Sequence, residues 1–190
     1  MSEFAQEVNL GGLIDRIGRF TRGLQYVDGL SPTQWEVLRF LARANRYSCN
    51  PSALSDFLGS TKGTVSQTLI ALEGKGYVRR VRADRDRRAV RLDLTEAGRT
   101  RLRSDPLIRL DMAAMALAPE LREALASGLG SLLRDLEKRQ CGGRFGVCVE
   151  CGMFRCDDAG DELEGPHRCG LTGEPIDDGE SRRLCASYRA

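Results

Sequence analysis

Hydrophobic residues along the first two thirds of the chain recur at helical spacing. Phe4, Val8, Leu13, Ile17, Phe20 and Leu24 are three to five positions apart and predict one amphipathic helix over residues 4–26. Ser31-Pro32-Thr33-Gln34 then carries a capping hydroxyl, a proline suited to the first helical position and a glutamine that completes a capping box. The helix it opens buries Trp35, Val37, Leu38, Phe40 and Leu41 and stops near Asn45. Asn50-Pro51 starts a short helix with Leu54, Phe57 and Leu58, ended by Gly59. Ser60-Thr61 starts another, with Val65, Leu69, Ile70 and Leu72, ended by Gly76. Two short helices joined by a tight glycine turn are the helix-turn-helix pattern.

Beyond Gly76 the period changes from helical to alternating. Residues 77–82 and 89–94 flank a polar turn and predict a β-hairpin. Thr95 caps a further helix, which Pro106 breaks or restarts. Residues 107–117 and 119–139 are two apolar-striped helices joined at Ala118-Pro119. Gly142-Gly143 marks a boundary, after which the chain is rich in Gly, Cys and acid with little periodicity. The expected fold is mainly α with a small β-wing. A winged helix-turn-helix with flanking helices occupies 1–139, and a small irregular Cys-rich module occupies 140–190.

Charge adds what periodicity does not. The net charge of +2 says little, but residues 75–103 hold eleven Lys/Arg against four Asp/Glu, and residues 157–180 hold nine Asp/Glu against one Arg. A basic block inside a neutral chain points to a polyanion met at one place. No run approaches the 18 apolar residues of a membrane span. The N-terminus, with Glu3 and Glu7, lacks a signal-peptide pattern. A cytoplasmic protein is expected.

A recognition helix presents short polar and basic side chains from its first turns to base edges and phosphates. Ser60, Thr61, Lys62, Thr64, Ser66, Gln67 and Thr68 supply those types around Val65, Leu69 and Ile70. Alone, the segment reads equally as a solvated helix face. The hairpin tip Ala83-Asp84-Arg85-Asp86-Arg87-Arg88 decides for DNA, because Arg85, Arg87 and Arg88 can follow a phosphate backbone or enter a narrow minor groove.

The stretches "LSPTQWEVLRFLA", "LSDFLGSTKGTVSQTLIALEGKGYVRRV" and "DRDRRAVRLDLTEAG" resemble the MarR (multiple antibiotic resistance regulator) family. The resemblance covers residues 31–98 in detail and about 1–139 with the flanking helices. It implies a homodimer formed by the first and the two late helices, a pseudo-palindromic duplex operator, and a regulator that acts as a repressor. Ala83-Asp84 stands where members often have Asp-Pro. No signature of the phenolic-ligand pocket of many members is readable.

Six of the seven cysteines lie beyond residue 140. In a cytosolic chain such clustering favours metal ligation over disulfides. Cys148 and Cys151 form a Cys-x-x-Cys pair, which brings two thiolates to one tight turn. Cys169 and Cys185 follow singly, a spacing that suits an iron–sulfur cluster better than zinc, which often takes two such pairs. The run "CVECGMFRC…HRCGLTGEPI…RLCASY" also resembles the small 4Fe–4S modules attached to some glycyl-radical enzymes. That resemblance implies Cys148, Cys151, Cys169 and Cys185 as ligands, with Phe154 and Tyr188 packing beside them. Zinc is the alternative metal, and free or redox-paired thiols a third reading. Cys141, Cys156 or His167 could each replace a ligand, while Cys49 reads as an ordinary semi-buried cysteine.

Together these features predict a transcriptional regulator whose cysteine cluster senses redox or iron–sulfur status. The same regulator with a structural zinc tail is the alternative. An iron–sulfur electron carrier or enzyme subunit is the alternative of another class, disfavoured by a single histidine and by the absence of a nucleotide loop or a Ser-His-Asp set. Because the module follows the helix ending near Arg139, its influence on DNA is expected to pass through the dimer helices.

Overall fold

The computed structural model describes residues 9–82, 90–139, 145–156 and 165–189. Its order is α1 (Leu10–Leu24), α2 (Pro32–Arg43), α3 (Pro51–Leu58), α4 (Lys62–Gly74), β1 (Val78–Arg82), β2 (Val90–Leu94), α5 (Glu96–Leu102), α6 (Ile108–Met115) and α7 (Pro119–Arg139). A set of short elements follows. Pro106 falls between α5 and α6, as a residue that cannot continue a helix should.

The helix starts follow the capping chemistry. Ser31 Oγ accepts from Gln34 N–H at 3.3 Å and Gln34 Oε1 accepts from Ser31 N–H at 3.2 Å, the reciprocal capping box. Asn50, Thr61 and Thr95 cap α3, α4 and α5 in turn, each accepting from the backbone N–H three residues on. α2 is the central rod. Trp35, Val37 and Leu38 are fully buried, and with Leu54, Val65, Leu69, Leu72 and Leu92 they make one core that α2, α3, α4 and the hairpin share.

β1 and β2 pair antiparallel from Val78↔Leu94 to Arg82↔Val90. Val78, Leu92 and Leu94 are turned into the core, so the alternation read from the sequence is the pleat itself. Gly98 is required where the hairpin meets α5. A Cβ there would stand 2.3 Å from the Tyr77 carbonyl oxygen, which also accepts from Thr95 N–H at 3.1 Å. The Leu-Thr-x-x-Gly signature is thus a cap followed by a close backbone approach.

A second anchor joins α1, α2 and the α5–α6 corner. Arg39 grips Asp105 with two hydrogen bonds of 2.6 and 2.7 Å and donates to Gln25 Oε1 at 2.9 Å. Burial alone would raise the Asp105 pKa. The bonds from Arg39 and from Leu107 N–H outweigh it and hold the carboxyl below its usual range.

The segment after residue 144, expected to be irregular, carries small antiparallel pairings. β3 (Gly146–Val147) pairs with β7 (Leu184–Cys185), and β4 (Phe154–Cys156), β5 (His167–Cys169) and β6 (Pro175–Ile176) form a three-stranded sheet. Strands of two and three residues are too short to show a period, which is why the sequence pattern missed them. Cys148, Ile176 and Cys185 are its small buried centre. Among the described residues no helix is long and apolar enough to cross a membrane.

Candidate nucleic-acid interface and cysteine cavity

α3 and α4 are joined by a turn of three residues. Gly59 ends α3 in the left-handed region at φ 56°, and its N–H, with that of Ser60, closes back on the last turn of α3. Thr61 then caps α4. The apolar residues Val65, Leu69 and Leu72 fix one side of α4 in the core. The opposite side is free: Thr61, Lys62, Thr64 and Gln67 are exposed, and Ser60, Ser66 and Thr68 half-buried. Thr68 Oγ1 donates back to Thr64 O at 2.9 Å and is partly spent on the helix itself. The first two turns of α4 therefore combine the helix N-terminus, a lysine and an amide on one accessible surface, the chemistry that phosphates and base edges require.

The hairpin root stands beside it. Arg80 is paired with Glu73 of α4 at 3.3 Å and Arg79 with Asp93 at 3.4 Å, both partly exposed. The predicted wing arginines Arg85, Arg87 and Arg88 lie outside the described residues, as does Cys141.

The cysteine segment, with Tyr47 from the link between α2 and α3, lines a second feature, a cavity of about 30 Å³. Cys148, Cys151, Cys169 and Cys185, the four that the resemblance to 4Fe–4S modules implies, all line it, together with the apolar Met153, Phe154, Leu171 and Ile176. Cys148 and Cys151 come from one tight turn, closed by Cys151 N–H donating to Cys148 O at 2.9 Å. Cys169 ends β5 and Cys185 ends β7. Cys156, by contrast, is exposed at the end of β4, and Cys49 is buried in the main core.

The sulfurs already have donors aimed at them. Arg189 N–H donates to Cys151 Sγ at 3.4 Å and Asn45 Nδ2 to Cys148 Sγ at 3.7 Å. The Cys148 thiol is pushed up to about 11, first by burial and then by the negative charge of Cys185, with Cys169 and Cys151 adding to it and Asn45 opposing. Burial raises Cys169 too. Bonds from the Thr172 hydroxyl and from the Thr172 and Leu171 backbone N–H groups prevail, and its pKa is lowered. Among the described residues, no three His, Cys, Asp or Glu side chains converge closely enough to hold a single metal ion as they stand.

Of the two implied packing residues, Phe154 lines the cavity and Tyr188 does not. The Phe154 ring meets the His167 ring at a tilt of 51° with centroids 4.8 Å apart, and the Tyr188 ring covers Gly146, where a Cβ would come within 2.5 Å of it. His167 turns instead to Asp178 Oδ1 at 3.1 Å and is not among the cavity's lining residues.

Sequence reasoning missed what the segment rests on. Its strand β7 and helix α8 (Asp178–Ser181) dock on residues 44–48, the link between α2 and α3. Asn45, 1% exposed and read from sequence only as a helix stop, lies at the centre of that junction.

The MarR family profile matches residues 28–89, which span α2, the helix-turn-helix and the first strand of the hairpin. A regulator of Bacillus subtilis, the uncharacterized HTH-type transcriptional regulator YfiV, is 30% identical over 111 residues, 57% of this chain and 68% of that protein. The chain belongs to the MarR family. The Escherichia coli transcriptional repressor MprA is 36% identical over 75 residues, 40% of this chain, and the match spans only 43% of MprA. Streptococcus pneumoniae FabT, solved in complex with DNA, superposes with a TM-score of 0.56 at 27% identity, covering 69% of this chain and 94% of FabT. The MarR fold thus accounts for about two thirds of the chain.

Proposed function

We propose that the protein is a cytoplasmic, homodimeric transcriptional regulator, acting as a repressor rather than an enzyme, that binds a pseudo-palindromic duplex through α4 and the arginine-rich wing. The observation that carries this is the capped, outward-facing first turn of α4, held by a fully buried face, next to a hairpin rich in arginine. Relatives support it: MprA is named a repressor, and FabT was solved on DNA. Gln67 reads a base edge; Ser60, Thr61, Lys62, Thr64, Ser66 and Thr68 position the helix; Arg85, Arg87 and Arg88 act from the wing.

Cys148, Cys151, Cys169 and Cys185 hold a metal centre in this reading, an iron–sulfur cluster in preference to zinc. The donor set fits. Four thiols face one cavity, N–H groups are aimed at their sulfurs, and their mutual repulsion is of the kind a bound cation relieves. Zinc needs four sulfurs about 2.3 Å from one point, whereas a cluster takes them at separated corners. The preference for a cluster rests on the sequence, in which Cys169 and Cys185 follow the Cys-x-x-Cys pair singly. A bound cluster would supply sensitivity to oxidants and to iron supply.

Two measurements test the reading. Protein purified without air should be brown, with broad visible absorption and iron and sulfide in the analysis; Cys148→Ala or Cys185→Ala should remove both. Colourless wild-type protein carrying zinc would select the alternative tail. Gln67→Ala, Arg87→Ala or Arg88→Ala should each weaken binding to a duplex selected from a random pool by about 1–3 kcal/mol where the side chain reaches bases, and by less at phosphates. Unchanged anisotropy titrations in all three would remove α4 and the wing from the interface.

A further inference from the structure

We propose that Asn45 is the joint through which the cysteine centre acts on the DNA-binding elements, so that the signal enters at the link between α2 and α3 and not through the dimer helices. The proposal rests on the reading that the four cysteines hold a metal centre.

Residues 44–50 are held from both sides. On the cysteine side, Asn45 N–H donates to Leu184 O at 2.8 Å, and Ala44 and Leu184 form a parallel bridge one residue from Cys185. Arg46 N–H donates to Glu180 Oε2 at 3.0 Å, and Ala186 N–H donates to Ser48 Oγ at 2.8 Å. On the DNA-binding side, Leu92 N–H of the hairpin donates to Cys49 O at 2.8 Å, and Asn50 Oδ1 caps α3 through Ala53 N–H at 2.9 Å. The link thus holds the root of the wing and the start of the helix-turn-helix at once.

Asn45 spans the two sides with one amide. Its Nδ2 donates to Cys148 Sγ at 3.7 Å and its Oδ1 accepts Ser48 N–H at 2.9 Å. A metal-bound sulfur is a thiolate, and a thiolate accepts a charge-assisted hydrogen bond stronger than a neutral thiol or disulfide sulfur can. Ligation of Cys148 therefore pins the amide, and the pinned amide holds the Ser48 turn, which sits two residues before the α3 cap and one before the Cys49–Leu92 bond. When the centre is lost and the Cys148 thiolate takes up a proton, the amide is free to turn, and α3 and the hairpin lose a common support. Asn45 is 1% exposed, so water does not replace the lost partner cheaply.

Asn45→Asp separates the two bonds. It keeps the oxygen that accepts from Ser48 N–H and removes the N–H that reaches Cys148. The full-length protein is titrated, loaded and chelator-stripped, against a duplex selected from a random pool with loaded wild type. Loaded wild type should bind about 5–150-fold tighter than stripped. In Asn45→Asp that ratio should collapse to below about 2-fold, while the buried carboxylate lowers the thermal midpoint of the loaded and the stripped protein alike. Hydrogen exchange of wild type supplies a second readout: the Ser48, Cys49 and Leu92 amides should exchange faster after stripping. A large wild-type ratio preserved in Asn45→Asp overturns the joint and leaves the metal-sensing reading standing. A wild-type ratio near one, with metal shown to be lost, overturns both. If the variant itself sheds metal, the wild-type exchange decides, and unchanged protection at those three amides overturns the joint.

Discussion

Raising salt from 50 to 200 mM should weaken operator binding by about 10³–10⁵-fold, with a log–log slope of roughly −7 if the dimer neutralises about eight phosphates. The chain's net charge of +2 hides the source of this effect. Basic residues are concentrated between Lys75 and Arg103, and acidic ones between Asp157 and Glu180, so the two fields are separated along the sequence. Several hairpin arginines are only loosely committed. Arg79 is paired with Asp93 at 3.4 Å with two thirds of its side chain exposed, and Arg80 with Glu73 at 3.3 Å with 40% exposed. Pairs of this kind contribute about 0–1 kcal/mol, so exchanging a carboxylate for a phosphate costs little. In the proposed interface these groups, with Lys62 on α4, supply the electrostatic half, and Gln67 and the polar first turn supply terms that salt changes far less. A slope near zero in anisotropy titrations from 50 to 400 mM salt would contradict binding by this basic block.

The sequence made the winged helix-turn-helix legible because its elements begin and end on local chemistry. Ser31, Asn50, Thr61 and Thr95 are caps whose bonds reach three residues, and Gly59 and Gly98 stand where a Cβ would be strained or would collide. Val65, Leu69 and Leu72 announce the buried side of α4 by spacing alone. The four cysteines around the cavity were legible for a different reason, through the resemblance of their run to small 4Fe–4S modules. The docking of their segment was not. It rests on backbone groups of Ala44, Asn45 and Leu184 and on the hydroxyl of Ser48, and any sequence supplies backbone groups. Asn45 carries no local mark, because its partner sulfur is 103 residues away. The Arg39–Asp105 pair, 66 residues apart, was hidden in the same way.

Placing a glutamate in the middle of the α7 stripe, as Leu129→Glu, should convert the protein to monomers and lower operator affinity by at least about 100-fold. Leu121, Leu125, Leu129, Leu133 and Leu136 recur along α7 at spacings of three and four and are 42–57% exposed. α1 has no buried residue at all, and Ile17 and Phe20 on it are 51% and 68% exposed; Met112 and Met115 of α6 are exposed to 67% and 65%. Apolar surface on this scale, gathered on the three helices that flank the winged core, marks a face that another chain covers. A second copy is the occupant that family membership points to, and two-fold symmetry brings each such stripe against its counterpart. A carboxylate buried there without a partner costs about 3–5 kcal/mol, and symmetry imposes that cost twice per dimer. Losing the dimer uncouples two recognition helices that must meet major grooves about 34–36 Å apart, so each protomer reads only half a site. The winged core should survive, because neither Leu129 nor any of these residues belongs to the cluster around Trp35, Leu38 and Leu69. Sedimentation velocity should therefore show a monomer with wild-type helical content. A dimer that persists in Leu129→Glu, with unchanged operator binding, would assign the apolar face of α7 to some other partner.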